Sequence, residues 1–181
     1  MNTDELIIGP GRIFVAAAGS SLDDLDVPGI IAGTVPAGWT DLGHTTAAVT
    51  LTDAPNYVMA KSQQSARTLD VAISEIETSI ATTLRQVTAD KLASFINGVN
   101  TSGVITPGSI GSVSKFAVAL IGPGPQGGTT LLSAPRCVYT GERAIAFDVE
   151  NYTEVAVTIE ILDDETTGGY TIYTVAPTPG S

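Results

Sequence analysis

One cysteine, one histidine and one tryptophan stand among the 181 residues. A lone Cys137 excludes an internal disulfide and fits a chain that folds in a reducing compartment. With His44 as the sole imidazole, a nucleophile–base–acid arrangement or a transition-metal site has no second partner of the usual kinds. A carboxylate-only hydrolase is the one enzymatic arrangement the composition still allows. Basic residues are scarce: eight Lys and Arg against nineteen Asp and Glu, a formal charge of −11. That balance argues against electrostatic capture of nucleic acid, which needs cations on phosphates, and against an anionic membrane surface. No apolar run approaches the roughly 20 residues of a membrane-spanning helix. The start of the chain carries Asp4 and Glu5 where a secretory leader would be basic, so no such leader is expected.

What is present is strand material. Apolar residues make up 43 % of the chain, enough for one domain with its own core, and nineteen glycines and ten prolines punctuate it. Residues 1 to 11 read as an N-terminal arm closed by Gly9-Pro10-Gly11. Residues 12 to 18 read as a strand with Ile13 and Val15 on one face. The acidic, Gly- and Pro-rich stretch 19–38 reads as an irregular loop. Trp39 then leads into a long hairpin over residues 46 to 86. Val49 and Leu51 share one face of its first strand, and Thr46, Thr50 and Thr52 the other. Ser62-Gln63-Gln64-Ser65 marks its tip. The return strand runs from Thr68 with a bend near Ser74 to Glu77, and Ile76, Thr78, Ile80, Thr82 and Leu84 share a face. One short helix is expected over about 88 to 97, with Thr88 as N-cap, Asp90 in the first turn and Asn97-Gly98 as the stop. Residues 99 to 112 read as linker. Strands follow near 115–121, 130–140, 143–149, 153–162 and 170–175, and 176–181 is a tail.

Each chemically suggestive residue has a plainer reading. His44 follows Gly43 in a turn. Cys137, within a strand, serves as a small buried hydrophobe. GPGPQGG at 122–128 lacks the Gly-Lys-Ser/Thr ending of a phosphate loop, and its prolines remove the N–H groups that would cradle phosphate. Asp23, Asp24 and Asp26 lack the spacing of a calcium loop. Trp39 is a core anchor before it is a partner anchor. Glu75 and Glu77 lie two apart on a strand, hence on one face. They suit acid–base chemistry, or a face turned to solvent, a partner or a lumen. No catalytic residue, cofactor or metal is expected.

Three stretches carry a resemblance to a known family. They are GPGRIFVAAAGS followed by GWTDLGHTTAAVTL, the strand-to-helix passage LDVAISEIETSIATTLRQVTADKLASFI, and KFAVALIGPGPQGGTTLLSAPRCVYTG followed by VENYTEVAVTIEILDD. Their order over residues 9 to 175 resembles the major tail tube proteins of long, non-contractile bacteriophage tails. Ser62-Gln63-Gln64 departs from the acidic-residue-then-Gln pattern of many relatives. The resemblance implies an all-β sandwich or barrel-like domain, 1–181, with one short helix packed on it. It implies a structural, non-catalytic subunit that forms hexameric rings stacked into a tube. DNA would pass through that tube without specific binding. Partners would be further copies of the chain, a tape-measure protein, and tail terminator and distal tail proteins. The subunit would be made in the host bacterial cytoplasm and end in the virion, away from any membrane. The rival structural reading is another tail component of this fold, such as a terminator, a distal tail ring or a contractile inner tube. A monomeric β-sandwich adhesin is the rival of a different class.

Under this reading Thr46, Thr50, Thr52, Gln63 and Gln64 belong to an inter-subunit hairpin, and a proline at Thr50 would test it. Asp70, Glu75 and Glu77 are lumen candidates. The arm and the 19–38 loop, with few apolar anchors, are expected to order only on assembly.

Overall fold

A computed structural model describes residues 5–8, 11–45, 48–61, 68–85, 88, 90–91, 93, 99–102, 104–106, 114–124, 127–140, 145–146, 154–163 and 169–176. In chain order its elements begin with β1 (Glu5–Ile8), β2 (Arg12–Ala17), α1 (Val27–Ile31), β3 (Thr40–His44), β4 (Val49–Lys61) and β5 (Thr68–Arg85). They continue with β6 (Val99–Thr101), β7 (Val104–Thr106), β8 (Phe116–Pro123), β9 (Thr129–Tyr139), β10 (Ile145–Ala146), β11 (Glu154–Ile161) and β12 (Thr171–Val175). The all-β expectation holds.

One antiparallel sheet runs in the order β1-β4-β5-β11-β9-β8-β2-β3, with β10 added to β11 and β12 to β9. Thr45, just past β3, bridges Leu84 of β5. The six strands from β5 round to β3 therefore close on themselves, which removes the edges an open sheet would leave along that path. Thr45 is tied from both ends: its N–H donates to the Gly11 carbonyl and its hydroxyl accepts from the Gly11 N–H, each at 2.9 Å. Gly11 is required there, because a Cβ would fall against the Ile121 carbonyl.

Alternation divides the apolar side chains between two layers. Ile13, Leu42, Ile80, Leu84, Val118, Leu120, Leu132, Ala134, Cys137, Val157 and Ile159 fill the interior of the closed sheet. Their neighbours Phe14, Ala117, Ala119, Ile121 and Leu131 point outward, where Leu22, Val27, Ile30 and Trp39 cover them. Burial pushes the Cys137 thiol up to about 12, against a smaller lowering from the Val118 backbone. It stays protonated, as a small hydrophobe should.

That outer layer corrects the reading of residues 19–38 as an open loop. Val-Pro-Gly-Ile-Ile is a poor helix former by propensity. It forms α1 because Pro28 sits in the first turn, where a missing N–H costs nothing, and because Val27 and Ile30 become buried. Two of the three acids of this stretch serve its turns: Asp26 accepts from the Asp23 N–H at 3.0 Å and Asp23 from the Leu25 N–H at 2.9 Å. The N-terminal arm contains a strand, Glu5–Ile8, which pairs with residues 49–52 of β4. The stretch read as linker contains the β6–β7 hairpin. The expected helix is described only at Asp90, Lys91 and Ala93, which are helical. The Lys91 N–H lies 3.4 Å from the Thr88 hydroxyl, the contact an N-cap makes. The remainder of that helix, including Asn97-Gly98, lies outside the described residues.

Arg12 links the barrel to the outer layer. Arg12 Nη2 lies 2.6 Å from Asp41 Oδ2, Nη1 donates to the Ile30 carbonyl at 3.4 Å, and the guanidinium sits 5.1 Å from the Phe14 ring centroid. Burial alone would raise the Asp41 pKa. The hydrogen bonds from Arg12 and the Gly43 N–H, with the charges of Arg12 and Lys91, outweigh it and hold the carboxyl below its ordinary value. A depressed folded pKa contributes stability that is present above the unfolded value and is lost as pH falls through the folded one. The melting-temperature gap between wild type and Asp41→Asn is therefore expected to shrink as pH drops below about 4. A gap that stays constant into acid would show that Asp41 is not the titrating group.

Candidate assembly surface

β4 and β5 leave the barrel together. β1 covers only residues 49–52 of β4, and β11 covers only residues 78–85 of β5. Beyond those points, residues 53–61 and 68–77 pair with each other and with no third strand among the described residues. The outer part of the hairpin thus presents two unpaired edges, an arrangement that invites strand pairing with another chain. Pro55 sits on one of them, and a proline is tolerated where its missing N–H faces away from the ladder.

Directly opposed residues share a face, so the register sorts the side chains. One face carries Asp53 with Thr78, Pro55 with Ile76, and Tyr57 with Ile73. It continues the barrel interior outward, yet Tyr57, Ile73 and Ile76 are 51 %, 57 % and 58 % exposed. The other face carries Thr52 with Ser79, Ala54 with Glu77, Asn56 with Glu75, and Val58 with Ala72. The apolar face read from Val49 and Leu51 and from Ile76 to Leu84 thus extends outward past the bend. At the root of that face Asp53 accepts from the Thr78 hydroxyl and from the Tyr170 phenol, both at 2.7 Å. Burial, then the hydrogen bond and charge of Asp53, push Tyr170 up to about 12. The pair locks the hairpin root to the segment before β12.

Glu75 and Glu77 are exposed and share the small, polar face. Asp70 lies farther out, paired with Ala60. Thr50 pairs with Ala81 and with Ile7, and Thr52 with Ser79 and with Glu5. Both are interior to the chain's own ladder, so a proline at Thr50 would damage the subunit itself and cannot test assembly. Thr46, Gln63 and Gln64 lie outside the described residues. Residues not singled out from the sequence are Tyr57, Ile73 and Glu160. Glu160 pairs with Ser79 in the row of Thr52, and so extends the acidic face onto β11.

The two residues weighed as a base and a nucleophile lie apart. His44 ends β3 on the surface while Cys137 is sealed inside the barrel. Among the described residues no three His, Cys, Asp or Glu side chains group as metal ligands. No described helix is long and apolar enough to cross a membrane.

A closed antiparallel barrel that extends an open-edged, two-faced hairpin defines a structural β-module. The family model described as phage tail tube protein matches residues 1–177, and the chain belongs to that family. Its role is structural, as a component of the viral tail tube. A search of curated proteins finds no match to it.

Proposed function

We propose that the chain builds the wall of a phage tail tube by passing its hairpin from copy to copy around a ring, and that stacked rings form a conduit for DNA. The observation that carries this is the pair of unpaired edges on residues 53–61 and 68–77. In this reading the β4 edge of one copy meets the β5 edge of the next; such a head-to-tail contact closes into rings when the rotation allows. Six copies per ring is the number the family resemblance supplies. The exposed apolar face of Tyr57, Ile73 and Ile76 becomes covered by the adjacent subunit. The opposite face, mostly Thr, Ser, Ala and Asn56 with Glu75, Glu77 and Glu160 and one exposed apolar residue, Val58, turns to the lumen. Tape-measure, terminator and distal tail proteins would then meet the tube inside and at its ends.

Placing lysine at Ile73 or at Tyr57 tests the reading. Both residues are exposed in the single chain, so its stability should change by no more than about 0.5 kcal/mol. A cation buried between copies without a partner is costly. Sedimentation and negative-stain microscopy should find tubes for the wild type and dispersed subunits for each variant. Tubes at wild-type yield from Ile73→Lys and Tyr57→Lys would remove the hairpin from the interface.

A further inference from the structure

β4 and β5 are unequal partners. From Thr50 opposite Ala81 to Lys61 opposite Thr68, twelve residues of β4 ladder against fourteen of β5. The register shifts twice, between Asn56 and Tyr57 and between Ala60 and Lys61, and both times the residue passed over lies on β5. These are Ser74 and Leu69. Ser74 is secured in its place, its hydroxyl donating to the Asn56 carbonyl at 3.0 Å. An extra residue on one strand bends that strand and increases the local twist. Bulges that alternated between strands would largely cancel. Two on the same strand of one ribbon add, so the hairpin curls in one sense as it leaves the barrel.

We infer that the two extra residues of β5 set the curvature of the assembled wall, and hence the diameter of the tube. The inference rests on the head-to-tail reading above. If copies meet through the outer hairpin, its bend fixes the angle between one subunit and the next. Curved sheets need such devices, because a regular ribbon twists without closing at a defined radius. The contact itself does not need the bulge. Without Ser74, Glu75 would still oppose Asn56 and Ile73 would still oppose Tyr57, so each side chain keeps its face. Deleting Ser74 removes one of the two bends, the one nearer the barrel, and leaves both faces as they are.

The experiment compares wild type, Ser74→Gly and a chain lacking Ser74. Trp39, buried beside α1 and away from the hairpin, reports folding of each by fluorescence on melting. Diameters are measured on negatively stained assemblies. The glycine variant keeps the extra residue and should give tubes of wild-type diameter. The deletion should melt like wild type and still associate, but into tubes of another diameter, open sheets or irregular filaments. Wild-type diameter in the deletion would overturn the inference and leave the head-to-tail reading standing. A deletion protein that folds but stays monomeric would also overturn it, because the bulge would then serve contact and not curvature. A wild type that forms no ring or tube, alone or with its tail partners, would instead defeat the reading on which it rests.

Discussion

Replacing Phe14 with alanine is expected to destabilise the subunit by about 3–5 kcal/mol. That is a large share of the roughly 5–15 kcal/mol by which a domain is stable. Phe14 is fully buried and holds the outer layer from below, against Val27, Ile30, Trp39, Ala119 and Leu131. Its ring also lies under the Arg12 guanidinium that reaches to Asp41 and to the Ile30 carbonyl. Truncation loses the buried ring, leaves a cavity between layers that relax only in part, and removes the ring beside the Arg12 guanidinium, whose hydrogen bond to the Ile30 carbonyl joins the layers. The control is Leu25→Ala on the same segment. Leu25 is 82 % exposed and its removal should cost no more than about 0.5 kcal/mol. Denaturant unfolding of both variants checks the difference. Hydrogen exchange should show α1 losing protection before β11, as the less stable unit opens first. Equal midpoints for the two variants would mean that the layer over β2, β8 and β9 does not pack as described.

The strands most readable from sequence are those with one buried face over many residues. β11 was legible because Val155, Val157, Ile159 and Ile161 alternate without interruption, and all four are buried. β5 was legible to within a residue at its end for the same reason, from Thr78 to Leu84. α1 was not, because its residues disfavour a helix locally and only burial against Phe14 and Leu131 selects one. β1 is four residues long and needs β4 as template. Barrel closure rests on one non-local bridge, Thr45 to Leu84, for which no periodicity exists.

The facing of the outer hairpin was half legible. The bend expected near Ser74 is the bulge, but its consequence for the faces was missed. Ile73 and Ile76 are three apart, and in a regular strand they would point oppositely. That switch of parity in the apolar pattern is the signal of an extra residue. With it in view, Tyr57, Ile73 and Ile76 fall on one face, and the apolar face of Ile76 to Leu84 runs on past the bend. The lumen candidates Glu75 and Glu77 needed no such correction to share a face, because no bulge lies between them.

Their charge leads to the second large effect. Duplex DNA carries about one charge per 1.7 Å of axis, so a basic wall would hold it through many phosphate contacts and an acidic one would repel it. The repulsion acts where the gap between wall and duplex is comparable with the Debye length, about 8 Å at physiological salt. Changing Glu75 and Glu77 together to lysine reverses two charges per copy on a chain whose total is −11. Both residues are exposed, opposite Asn56 and Ala54, and neither belongs to the apolar face. Assembled tails should therefore form in normal number and diameter. DNA delivery through them should slow, most strongly at low salt, where screening is weakest. The salt dependence separates a charge effect from a steric one, since lysine is only slightly longer than glutamate. A Glu75→Gln, Glu77→Gln chain should lie between the two, having lost repulsion without gaining attraction. Delivery at the wild-type rate in mutant tails at every salt concentration would take these two carboxylates out of the lumen and leave them facing neighbouring subunits or solvent.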